Sequence, residues 1–162
     1  MPPHVQLIHF PIAFLLLAAL MAVVQLIYFR TSISRFILLL LVLGTVSAFF
    51  AVRSGESASE KVKKTLPGTE QVLEQHEENG ERVLWIFTLT TMLKLVLIGI
   101  KRDNRQWNSI VVVFMILGTF LIYRTGYFGG QLVYEWGAGV KPVMEQNDNF
   151  QFDAADSSKI LK

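Results

Sequence analysis

Three histidines, His4, His9 and His76, are the residues of this chain best suited to bind a metal, and there is no cysteine beside them. Without thiols, disulfides, thiolate-held iron–sulfur clusters and covalently attached c-type haem are excluded. His4 and His9 flank the start of the first apolar segment, and His76 lies in an amphipathic stretch leading into the third. Haem b iron held by two histidines needs two neutral imidazoles on facing helices with an apolar slot between them. The spacing favours His9 and His76 as that pair, with His4 as a substitute. Ala13 lies one turn beyond His9 and Gly80 one turn beyond His76, so small residues leave room for a flat ring. Phe10, Phe14, Leu84 and Phe87 would line it. Arg53, Arg82 and Arg124 are available to pair with haem propionates.

Two other readings of the same residues stand beside this one. An interfacial histidine also serves simply as a hydrogen-bonded polar residue. A copper or zinc site built by His4, His9 and His76 is chemically reasonable, although no carboxylate is placed as an obvious close support. Glu74, Glu77 and Glu78 read as a solvated face, from which one acid could accept the second N–H of His76.

The elements that must position these groups are membrane helices. The chain of 162 residues is 52% hydrophobic, too apolar for an ordinary soluble domain. Four runs, near Phe10–Phe29, Ile33–Val52, Val83–Ile100 and Ser109–Phe128, are long enough to cross a bilayer of ~30 Å. The expected fold is therefore all-α: a four-transmembrane-helix bundle over residues 1–140, followed by a polar tail, 141–162. The first run lacks a basic leader and a small-residue cleavage site, so it reads as a retained helix. The links between runs 1 and 2 (Arg30, Arg35) and between runs 3 and 4 (Lys101, Arg102, Arg105) are basic, whereas the segment Arg53–Arg82 is rich in acids. The positive-inside rule then puts both termini and all three histidines on the outer, periplasmic side of a bacterial inner membrane.

Local signals refine the picture. Pro11 suits a first helical turn, where its missing N–H costs little. Arg53-Ser54-Gly55 reads as the end of the second helix, Pro67-Gly68 as a turn, and Thr69 as the N-cap of the third. Val72, Leu73, His76, Gly80, Val83, Leu84 and Phe87 then recur at helical spacing, which predicts one continuous helix from Thr69 to Ile100, extended beyond the hydrocarbon with His76 on the bundle-facing stripe. Gly126 and Gly130 form a small-xxx-small packing pair. Tyr123, Tyr127, Tyr134 and Trp136 form an aromatic belt. Lys94, near the inner end of the third run, reads as a snorkelling lysine, with a proton or quinone role less favoured. No phosphate loop, nucleophile elbow or zinc-protease signature occurs, and a net charge of +2 gives no case for nucleic acid.

The segment His4-Val5-Gln6-Leu7-Ile8-His9-Phe10-Pro11-Ile12 resembles the opening motif of the bacterial domain of unknown function 2231 family. Gly126-Tyr127-Phe128-Gly129-Gly130-Gln131-Leu132-Val133-Tyr134, followed by Gly137-Ala138-Gly139-Val140, resembles its closing motif, and His76-Glu77 also fits. Val5 replaces the usual proline, and Trp136 stands where many members have histidine. The resemblance implies a four-helix inner-membrane domain in a redox setting, because members occur fused to or beside cytochrome-like and Rieske-like proteins. The resulting expectation is a haem b electron-transfer subunit, not a stand-alone catalyst, serving membrane or periplasmic redox partners and a quinone pool. The alternatives are a cofactor-free accessory subunit of a membrane complex and a periplasmic-face copper or zinc protein.

Overall fold

The computed structural model describes residues 3–140; the tail expected over 141–162 lies outside the described residues. A short helix α1 (Pro3–Leu7) hands over at Ile8 to α2 (His9–Ile27), and α3 (Thr31–Thr65), α4 (Glu70–Gly99) and α5 (Arg105–Tyr134) follow. Helices α2 to α5 are long and apolar enough to cross a membrane. They form an up-and-down ring in which each packs on its sequence neighbours, α5 closes on α2, and α1 lies against α2 and α3.

Leu15, Ala18, Ile37, Leu41, Phe87 and Met115 fill the centre. Leu20, Val46, Phe50, Leu89, Val113 and Phe120 point outward and are exposed. Apolar side chains pointing outward on every helix are what a lipid-facing bundle requires, because intrahelical bonds already satisfy its backbone. Gly118 sets how closely α4 and α5 approach. A Cβ there would stand 2.5 Å from the Phe87 ring, whereas one at Gly126 meets none of the described residues within 4 Å. Gly118→Ala is therefore expected to destabilise the bundle by about 1–3 kcal/mol through overpacking. Gly126→Ala should gain roughly 0.5–1 kcal/mol of helix propensity. Reversible unfolding in detergent of the two variants would check the contrast.

The structure departs from the sequence reading around the α3–α4 turn and at Lys94. Helix α3 does not stop at Gly55 but continues to Thr65, so the segment 53–82 is largely a helical hairpin, turned at Leu66–Thr69 and bridged by Lys63 Nζ to Glu77 Oε2 at 3.3 Å. Thr69 holds the cap position, yet its hydroxyl donates back to the Leu66 carbonyl at 2.8 Å and caps no α4 amide. Trp136 lies beside the α3–α4 turn, where a Cβ on Gly68 (φ 93°) would touch its ring at 3.4 Å.

The difference at Lys94 is that it does not snorkel: it is 0% exposed. Its Nζ donates to Asp103 Oδ1 at 3.0 Å, to Asn108 Oδ1, and more distantly to Gln25 Oε1 at 3.4 Å. Asn108 Nδ2 donates to the same Asp103 oxygen at 2.7 Å, and Ser34 Oγ donates to the other. Four helices and the α4–α5 turn thus meet at one ion pair. The turn is a Schellman closure: the Arg102 amide bonds to Leu97 O at 2.9 Å and the Lys101 amide to Ile98 O at 3.2 Å, with Lys101 at φ 57°. Asn104 then caps α5, its side chain accepting from the Trp107 amide at 3.1 Å. Reversing the chain this tightly swings Asp103 beneath Lys94.

Candidate functional site

The opposite end of the bundle, where α2 and α4 begin and α3 and α5 end, gathers the histidines. His4 rides on α1 and crosses to α3, where its Nδ1 lies 2.9 Å from the Ala51 carbonyl oxygen and 3.2 Å from Ser54 Oγ. His76 sits on the inward stripe of α4, and its Nδ1 lies 2.9 Å from the Thr125 carbonyl oxygen of α5. The two rings face each other with centroids 6.2 Å apart and planes at 89°. A carbonyl oxygen only accepts, so in each ring Nδ1 carries the hydrogen. Neutral Nε2 then keeps its lone pair; this tautomer is assigned from the partners. A histidine oriented by a backbone carbonyl through its other nitrogen is the usual arrangement of a metal-ligating imidazole.

The pairing differs from the one the spacing favoured. His9 opens α2 on its exposed side, and Ala13, one turn on, is exposed as well. The ring that meets His76 is that of His4, the substitute: the helical backbone runs through Ile8, and residues five apart on it point about 140° away from each other, so His4 turns to α3 while His9 turns outward. Gly80 admits no close approach, its nearest neighbour being Thr125 Cγ2 at 4.0 Å from a built Cβ. The backbone of Thr125, not a glutamate, takes the second N–H of His76, while Glu78 pairs with Arg82 at 2.8 Å. Arg53 is exposed and pairs with Glu56 at 3.1 Å, and Arg124 lies 5.7 Å above the Phe128 ring. Among the described residues, no group of three or more histidine and acidic side chains converges in a way that could hold a metal ion, so His4, His9 and His76 do not form one cluster.

Two glycines were not singled out for this site. A Cβ at Gly55 would stand 3.1 Å from His4 Cε1, and one at Gly129 would stand 3.0 Å from His76 Cε1. Gly55 sits mid-helix, and an interior glycine with no turn to make is the signal that could have marked it. Gly129 was hidden inside the Gly126-Gly130 pair. Asn79, one turn beyond His76, is fully buried. Its Nδ2 donates to Gln75 O at 2.6 Å, and its Oδ1 has no partner.

The fit to iron can be tested on distance. A ring nitrogen binds a metal at ~2 Å, which places the imidazole centroid roughly 3 Å from it. Two ligating rings would have centroids about 6 Å apart, close to the observed 6.2 Å. By centroid separation alone, the rings of His4 and His76 match two imidazoles on one metal. No curated protein and no solved structure matches the chain. The family model for the predicted membrane protein DUF2231 covers residues 1–142, and the chain belongs to that family.

Proposed function

We propose that this membrane protein is a one-electron carrier in which His4 and His76 hold the iron of one haem b at the outer face of a bacterial inner membrane. The observation that carries the reading is the pair of rings 6.2 Å apart, each with Nδ1 on a backbone carbonyl. When bound, the haem would supply reversible one-electron chemistry; the chain supplies ligation, orientation and exclusion of water. The Ala51 and Thr125 carbonyls fix the ring tautomers and raise the basicity of Nε2. Arg124, over Phe128, is the arginine best placed to meet a propionate, because Arg53 and Arg82 already have glutamate partners. Electrons would pass to membrane or periplasmic redox subunits, with a quinone pool as their source.

A second reading is a cofactor-free accessory subunit, favoured by the α5 face at Gly126 and Gly130, where a Cβ on either glycine would meet none of the described residues within 4 Å. Such small-residue faces receive partner helices. A reduced-minus-oxidised visible spectrum of the protein from haem-replete cells separates the two. Sharp α and Soret bands at one haem per chain support the carrier. A colourless protein, purified with its partners, supports the accessory subunit, and bound copper without haem assigns the imidazole pair to that metal.

A further inference from the structure

The two histidines are held in the same way by two different hairpins. His4 bonds to the carbonyl of Ala51, and the residue one helical turn on from Ala51 is Gly55, whose missing side chain leaves the ring its place. His76 bonds to the carbonyl of Thr125, and the residue one turn on from Thr125 is Gly129, in the same relation to that ring. In a helix the amide four residues on already donates to that carbonyl, so a second donor must approach from the side, over the later residue. A Cβ at Gly55 would stand 3.4 Å from His4 Nδ1, and one at Gly129 3.2 Å from His76 Nδ1, in the path of that approach. Glycine at such an interior position costs roughly 1 kcal/mol relative to alanine, and neither residue makes a turn that would require it. The halves differ in what precedes the glycine: Ser54, which touches His4 Nδ1 at 3.2 Å, in one and Phe128 in the other.

We infer that Gly55 and Gly129 are positioning residues of two equivalent half-sites, each opening a helix carbonyl so that one imidazole is fixed as the Nδ1–H tautomer with Nε2 free. The inference builds on the reading of His4 and His76 as a ligand pair, but its test does not depend on bound haem. The full chain, labelled with nitrogen-15 at histidine and held in detergent micelles near neutral pH, reports the tautomer of each ring by long-range proton–nitrogen correlation. His4 and His76 should both show Nδ1–H, whereas exposed His9 should average between forms.

Gly129→Val should lower the Nδ1–H to Nε2–H ratio of His76 by about fivefold, the equivalent of one net hydrogen bond, and leave His4 as it was. Gly55→Val should do the reverse. A general loosening of the bundle would not produce this crossed pattern. An Nε2–H tautomer at either ring of the unaltered protein overturns the inference without any variant, and so do unchanged ratios in both folded variants. Locked tautomers in a colourless protein would uphold the half-sites and end the haem reading. Haem bands with unlocked tautomers would do the opposite.

Discussion

Asp103→Ala is expected to cost the fold about 3–5 kcal/mol, because it leaves the Lys94 ammonium buried without its counter-charge. Lys94 is 0% exposed, and the partners left to it would be the amide oxygens of Asn108 and Gln25. The reciprocal change should cost less. Lys94→Met removes the buried charge, and Asp103, at the end of a turn with its side chain 12% exposed, keeps Ser34 and Asn108 as donors and can reach water. A double-mutant cycle read by reversible unfolding in detergent should therefore show strong coupling, with the double variant more stable than Asp103→Ala alone. Equal costs for the two single changes, summing in the double, would contradict a closed ion pair.

The same node has a pH signature. Burial opposes ionisation of Asp103, but hydrogen bonds from Ser34, Asn108 and Lys94, together with the Lys94 charge, outweigh it and hold the carboxyl below the ordinary carboxylate value. A group depressed on folding contributes stability that is fully present above its unfolded value, about 3.9 for aspartate. That contribution is lost as pH falls through the lower folded value. The stability that this node contributes should be lost only at strongly acid pH. Asp103→Ala should flatten this limb, which acid unfolding followed by tryptophan fluorescence would show.

The bundle was legible in the sequence because lipid imposes a simple rule: a helix that crosses must be apolar for its whole span, and four runs satisfy it. The stripe Val83, Phe87, Lys94 was equally legible as a face of α4. What Lys94 does on that face was not. Hydropathy treats a lysine near a span end as free to reach water, and its partners come from Gln25, distant in sequence, from Asn108 on the next helix, and from Asp103 in a turn whose left-handed residue is a lysine instead of the glycine that would have announced it. Which histidine meets His76 was less legible. A helix begun near Phe10 leaves His4 outside it, whereas the helical backbone runs through Ile8 (φ −62°, ψ −24°) from His4 onward, and on it His4 turns to α3 while His9 lies on the exposed side. Gly55 looked like a helix end because glycine often is one; here α3 continues past it, and its missing side chain makes room for the His4 ring.

That difference in facing leads to the second large effect. Under the proposed ligation, His4→Ala and His76→Ala should each weaken haem binding by more than about 100-fold, beyond the tenfold to 100-fold typical when only a ligand's supporting partner is removed. His9→Ala should keep full occupancy, since His9 lies on the exposed side of α2 while His4 faces His76. Pyridine haemochrome quantification of the three variants gives the occupancies directly. The contrast between His4 and His9 carries the weight, because both lie at the same end of the molecule and a general disturbance there would affect them alike. If His9→Ala lost the haem and His4→Ala retained it, α1 would have to swing away from α3 in the loaded protein, giving up the His4 bond to Ala51 O. If His4→Ala lost it alone with His76→Ala, the orientation of α1 on α3 would be what brings the site together. In that case a chain shortened to begin after His4 should be as colourless as His76→Ala, even with all four spanning helices intact.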